Sequence, residues 1–224
     1  TRPERVKVHH GDTDQIPFGV GTYASRNAVM AGGAVTVAVR LVRDKARKLA
    51  AHLLEVTESD LELEDGAFHV AGAPDRVISL GALAAAASPW AKLPEGMEPD
   101  LFARHYFQAP LPTFASGTHI AVVEVDGDSG AVTILDYISV NDAGPRINPT
   151  VVDGQIQGGI AQGLGGAMME EIYYDETAQP LGSFLDYAVP RATDMPDVRQ
   201  DHLETPSPLN PLGVKGLGEG GTLA

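Results

Sequence analysis

Nine residues near the C-terminal end, Gly213-Val214-Lys215-Gly216-Leu217-Gly218-Glu219-Gly220-Gly221, contain five glycines. No stable helix or strand tolerates that density, because each glycine costs about 0.5–1 kcal/mol there relative to alanine. The run is useful only for what its backbone can reach. Glycine lets the chain take positive φ and lets main-chain N–H groups approach a neighbour closely. The one carboxylate, Glu219, is held among backbone atoms with no bulky neighbour, the placement a general base needs. A solvated surface loop with an idle glutamate is the plain alternative.

A second glycine-rich stretch, residues 154–166, keeps Ile156, Ile160 and Leu164 at helical spacing yet carries six glycines. Asn148 at the cap and Pro149 at the first helical position start this helix well. An exposed helix would not keep those glycines. A buried one would, if something large and flat packed on its glycine face, and close helix packing with no ligand explains it equally well. Gln155, Gln157 and Gln162 supply amides that donate and accept, suited to a heterocycle edge. A third loop, Pro17 to Arg26, feeds a long helix expected over Asn27 to Leu54, with Val35, Val39, Val42 and Ala46 near one face. Gly32-Gly33 suggests close packing. Hydroxyls, free N–H groups and Arg26 at a helix N-terminus suit an anion, and an ordinary Ser or Thr cap explains them too.

Composition removes whole classes of function. A formal net charge of −14 argues against sequence-independent nucleic-acid binding and against docking on an anionic membrane. With no cysteine, disulfides, thiolate catalysis and Cys-held zinc or iron–sulfur centres are excluded within the chain. No apolar run approaches the roughly 20 residues of a membrane span, and cytoplasmic is the default expectation. Thr1 opens without Met and Ala224 follows closely on the glycine run. Both ends therefore read as cuts through something longer, or as one piece of a split subunit.

The remaining elements follow from periodicity and turns. Arg5–His10 alternates and predicts a strand. Asp65-Gly66 predicts a hairpin between 61–64 and 67–70, and Ser79 caps a short helix from Leu80 to Ala87. Prolines across 88–99 mark a linker. Runs at 118–126 and 131–140 predict a second hairpin, with further strands at Ser183–Tyr187 and Val198–Glu204. His9, His10, Asp12 and Asp14 could ligate a metal, and Asp126 with Asp128 could invite calcium, but turn chemistry accounts for both. No metal-ligating residue is assigned. The architecture expected is α+β in two subdomains, 1–112 and 113–224, the second carrying the Glu219 loop.

Five ordered motifs carry a family resemblance: Gly-Thr-Tyr-Ala-Ser-Arg at 21–26; Asp142, Gly144 and Asn148-Pro149; Gly154-Gln155 with Gly158-Gly159 and Gln162-Gly163; Asp186-Tyr187 with Pro190; and Gly213, Lys215-Gly216 and Gly218-Glu219. Together they resemble the C-terminal part of the molybdenum-binding large subunit of the xanthine oxidase family, which includes the aldehyde oxidoreductases and aerobic carbon monoxide dehydrogenases. Pro206-Ser207-Pro208 beside the last motif is most similar to the carbon monoxide dehydrogenase branch. The resemblance implies the family's molybdopterin-binding fold, with mixed sheets and Gly-rich loop-to-helix cofactor sites. It implies a molybdopterin cofactor, in bacteria often the cytosine dinucleotide form, and oxidation of an aldehyde, N-heterocycle or carbon monoxide with water as oxygen source. Glu219 matches the family's catalytic base, and Gln155 a cofactor-contacting glutamine. Gly21, Thr22, Tyr23, Ala24, Ser25, Arg26, Asp142 and Asn148 match segments lining the dinucleotide end, and Lys215 and Gly218 belong to the base's loop. The partners implied are the N-terminal part of the molybdenum subunit, an iron–sulfur subunit and an FAD subunit, as a dimer of heterotrimers. The copper-bearing Cys loop of the carbon monoxide branch has no counterpart here. A phosphate-binding module without redox chemistry is the competing reading, and it lacks a Walker Lys–Ser/Thr pair. A non-catalytic assembly fragment of the same family is the other.

Overall fold

The computed structural model describes residues 3–16, 18–19 and 21–222. Pro17 and Val20 of the predicted loop, and the ends at Thr1 and Ala224, lie outside the described residues. By contact the chain forms two units. One comprises the described residues through Gly21 together with Ala34–Phe107; the other joins Thr22–Gly33 to residues 108 onward. The boundary expected at 112/113 differs from this in giving 22–33 and 108–112 to the first subdomain. Residues 22–33 belong with the second because the helix backbone at Gly32 runs against Leu212, where an added Cβ would come within 2.7 Å of Cδ1.

The first unit is built on helix α1 (Asn27–Leu54) from Ala34 onward and on a three-stranded antiparallel sheet, β1 (Leu61–Glu64), β2 (Ala67–Val70) and β3 (Ala73–Ser79). Asp65 and Gly66, with φ of 44° and 81°, make the tight turn between β1 and β2. Ser79 Oγ accepts from Ala82 N at 3.1 Å and caps α2 (Leu80–Ala86). The core gathers Ala46, Leu49 and Ala50 of α1, Phe68 of β2 and Leu83 of α2, all fully buried. Of the residues expected near one face of α1, Ala46 is buried, while Val35 and Val39 are exposed. The small and branched residues of 46–51 carry the packing instead.

The second unit holds a mixed sheet, in the order β4 (Ser116–Val125), β5 (Val132–Asp142), β6 (Val198–Leu203). β4 and β5 form the expected antiparallel hairpin, and β6 runs parallel to β5. Asp126 closes the turn, its Oδ1 accepting from Asp128 N, Ser129 N and Ser129 Oγ. Helix α3 (Pro149–Met168) begins where Asn148 Oδ1 accepts from Val151 N. Its Ile156 and Ile160 pack with Tyr137, Ala143 and Leu217 in a buried cluster. Burial pushes the Tyr137 phenol up. No described helix is long and apolar enough to cross a membrane.

Two predicted strands are corrected. Pro3–Arg5 is a 3₁₀ turn and residues 6–10 are irregular, with Val6 and Val8 exposed; an alternating run without a partner strand has no ladder to join. Ser183–Tyr187 is a turn, because Ser183 donates from both N and Oγ to Asp186 Oδ2 at 2.9 Å, a local side-chain bond that competes with extended pairing.

Candidate functional site

Three segments of the second unit converge on one cleft of about 430 Å³. Thr22, Ser25 and Asn27 line it from the loop and first turn of α1. Asn148, Val152 and Gln155 line it from α3, and Lys215, Leu217 and Gly218 from the glycine run. The N-terminal ends of two helices therefore open on the same space, and unpaired N–H groups at such ends favour anions.

The glycine run is held at several points. Lys215 N donates to Ala143 O at 2.8 Å, Gly216 N to Thr113 O at 2.7 Å, and Ala115 N to Gly216 O at 3.1 Å. Buried Asn210 donates from Nδ2 to Val214 O at 2.8 Å and accepts from Val214 N at Oδ1. Val214 and Leu217 are buried. Further on, Gly221 lies on α3. A Cβ at Gly159 would come within 2.9 Å of Gly221 Cα, and one at Gly163 within 2.9 Å of Thr222 O. Of the six helix glycines, these two receive the backbone of the C-terminal run. Gly165 packs on Pro190, while Gly154, Gly158 and Gly166 face open space.

Asp142 is buried at the end of β5. It accepts from Gly144 N at 2.9 Å and Thr205 N at 3.1 Å, and its Oδ2 lies 3.1 Å from Lys215 Nζ. Burial raises the carboxyl's pKa, but the hydrogen bonds from Thr205, Gly144 and Lys215 outweigh it and hold the group well below the usual carboxylate range. Lys215 thus spends its charge on Asp142, not on Glu219. The pair is a strut under the glycine run.

Glu219 is exposed and meets Ser25 twice. Ser25 Oγ accepts from Glu219 N at 2.9 Å and donates to Glu219 Oε2 at 2.6 Å. Ala24 and Ser25 both have φ of 51°, unusual for residues with a Cβ. Arg26 Nη1 donates to Tyr23 Oη at 2.9 Å, and its guanidinium lies 4.5 Å from that ring's centroid. Gly21 takes φ of 76° and is the last residue of the first unit's N-terminal segment. Asn148, besides lining the cleft, spends Oδ1 on its helix cap. A Cβ built on Gly218 would lie 3.3 Å from Ser25 Oγ and 3.5 Å from Gln155 Oε1, so Gln155, Ser25 and the glycine run meet there. Thr205 and Asn210 were not singled out by sequence reasoning. An Asn-Pro step at 210–211 is the turn signal that could have found the second.

Residues 1–196 match the family model described as a molybdopterin cofactor-binding domain. The chain belongs to that family. This molybdopterin-binding chain is 39% identical over 218 residues to the carbon monoxide dehydrogenase large chain of Afipia carboxidovorans, covering 96% of itself and 26% of that relative. It is 42% identical over 224 residues to subunit gamma of the 6-hydroxypseudooxynicotine dehydrogenase complex of Paenarthrobacter nicotinovorans, covering 99% and 28%. Reconstituted CO dehydrogenase from Oligotropha carboxidovorans superposes with a TM-score of 0.86 at 39% identity, over 94% of this chain and 26% of that one. The chain thus spans about a quarter of the length of these relatives. The expectation of a partial molybdenum-binding subunit of the xanthine oxidase family, with an α+β molybdopterin-binding fold, holds.

Proposed function

We propose that this chain is the base-bearing, cofactor-binding C-terminal part of a molybdenum hydroxylase that oxidises an aldehyde, an N-heterocycle or carbon monoxide, taking oxygen from water. The observation that carries the reading is the meeting of Ser25, Gln155 and Gly218, with Glu219 attached to it, on a cleft that two helix N-termini share. The residues suit a molybdopterin: amides for a heterocycle edge and helix ends for a diphosphate. The two helix ends, at Asn27 and Pro149, suit phosphate groups, and the cytosine dinucleotide form is proposed from the resemblance to bacterial members of the family.

A molybdenum centre, when bound, would supply the two-electron redox chemistry. The chain supplies the rest. Glu219 would take up a proton that oxidation with water releases. Gln155 orients the pterin side through its amide, and the Asp142–Lys215 pair keeps the glycine run in register. Gly21 to Arg26 and Asn148 contribute to the anionic end. Electrons would leave to an iron–sulfur subunit and an FAD subunit in a dimer of heterotrimers, partners proposed from the family resemblance; relatives described as a large chain and as a subunit of a dehydrogenase complex support a multi-subunit assembly.

Changing Glu219→Gln in the full-length assembled enzyme tests the reading. Loss of a general base lowers turnover by about 10²–10⁴-fold, with molybdenum and pterin content unchanged by metal analysis and pterin fluorescence. Full turnover in that variant would refute the assignment.

A further inference from the structure

We infer that Ser25 is the positioning residue for Glu219, fixing which carboxylate oxygen acts; the inference rests on Glu219 being the base. An exposed glutamate has three side-chain torsions to order, and nothing in a glycine-rich loop restrains them. Here one hydroxyl does. Ser25 Oγ receives the Glu219 N–H at 2.9 Å and returns its own proton to Oε2 at 2.6 Å, a closed ring of two bonds between residues far apart in the chain. The second is a charge-assisted O–H···O⁻ bond of short length. Oε2 is therefore engaged, and Oε1 is left to take the proton.

The surroundings are shaped to bring this serine in. Gly216 lies so close to Ser25 that any Cβ there would overlap its carbonyl oxygen and come within 3.1 Å of its Cβ. At Gly218 a Cβ would press on Oγ at 3.3 Å. Ser25 itself sits on two successive positive-φ residues, Ala24 and Ser25, a backbone that persists only where surrounding structure demands it. Two glycines of the run thus make room for a side chain of the other loop. The Ser25 hydroxyl is spent on Glu219, so contact of this loop with cofactor falls to its other groups, Thr22 among them.

The test is a double-mutant cycle in the full-length holoenzyme: Ser25→Gly, Glu219→Gln and the pair. Glycine removes the hydroxyl and tolerates the positive φ. Turnover is followed with a dye acceptor on whichever of carbon monoxide, benzaldehyde or quinoline the wild-type complex oxidises. Ser25→Gly is expected to lower kcat by about 10–100-fold, the cost of a carboxylate misplaced by about an ångström, with KM changed by less than about twofold. Molybdenum and pterin content stay at the wild-type level. In the Glu219→Gln background, Ser25→Gly costs nothing further, because the residues act as one unit. A crystal structure of Ser25→Gly shows the Glu219 carboxylate away from its wild-type position. If Glu219→Gln alone keeps full turnover, the reading of Glu219 as base fails and takes this inference with it. If Glu219→Gln is inactive but Ser25→Gly keeps wild-type kcat, loses cofactor, or adds its effect in full to Glu219→Gln, the inference about Ser25 alone is overturned.

Discussion

At the scale of single residues, the buried pair of Asp142 and Lys215 has the clearest energetic signature. Lys215 is the residue after Val214, so whatever fixes its ammonium also fixes the approach to Glu219. Side-chain exposures of 16% for Lys215 and 9% for Asp142 mean that removing one charge strands the other out of water. Asp142→Asn keeps the shape and removes the charge, and is expected to cost about 1–3 kcal/mol of stability, read from the urea midpoint. The pH dependence has a definite sign. A carboxyl whose folded pKa is depressed contributes stability that is fully present above its unfolded value, near 3.8, and is lost as pH falls toward the folded value. Wild-type stability therefore drops as pH falls below about 4, and Asp142→Asn flattens that part of the curve. In the sequence, Asp142 and Lys215 were visible only as motif members. Their partnership was not, because 72 residues of intervening chain hide which cation meets which carboxylate.

Helix α3 shows at the scale of elements what glycines can and cannot reveal. Its start was legible, since Asn148 and Pro149 have local roles that need no tertiary knowledge. Its unusual glycine content was legible as a packing demand, but the partner was not: two glycines serve the returning backbone at 221–222 and three face open space. The same limit explains β3, which sequence reasoning missed. Pro74, Asp75 and Arg76 spoil its alternation, and its place is set by pairing with β2. A matched pair of substitutions separates the two kinds of glycine. Gly159→Ala forces a methyl to within about 3 Å of the Gly221 backbone, which cannot rotate away, and is expected to destabilise by about 1–3 kcal/mol. Gly158→Ala, one residue earlier and facing open space, gains helix propensity and raises stability by about 0.5–1 kcal/mol. Urea unfolding of the two variants in parallel checks the sign of each. A loss at Gly158 as large as at Gly159 would show that its face is covered.

Across the whole molecule, the candidate site belongs to one unit. Thr22 to Arg26, Asp142, Asn148, Gln155 and the 215–219 run all fall in the second, and of the residues expected at the site only Gly21 falls in the first. That concentration was invisible in the sequence, where a cut along the chain separates 22–26 from the residues they meet. It makes core substitutions in the two units differ in kind. Leu83 is fully buried in the first unit's core, against Phe68 and α1, and Leu83→Ala is expected to cost about 2–5 kcal/mol. Ile160 is almost fully buried in the second. Its backbone N would lie 2.8 Å from a Cβ at Gly221, so it sits directly beneath the run that carries Glu219. Ile160→Ala costs a similar amount of stability, and it also loosens the seat of the base. In the full-length enzyme, turnover normalised to bound molybdenum should therefore stay at the wild-type value for Leu83→Ala, whose effect is confined to the yield of folded protein. For Ile160→Ala it should fall by about tenfold or more, since small misplacements of a catalytic group are costly. Equal losses of normalised turnover in both variants would mean that the first unit's core also governs the geometry around Glu219, and the assignment of the site to the second unit alone would have to be given up.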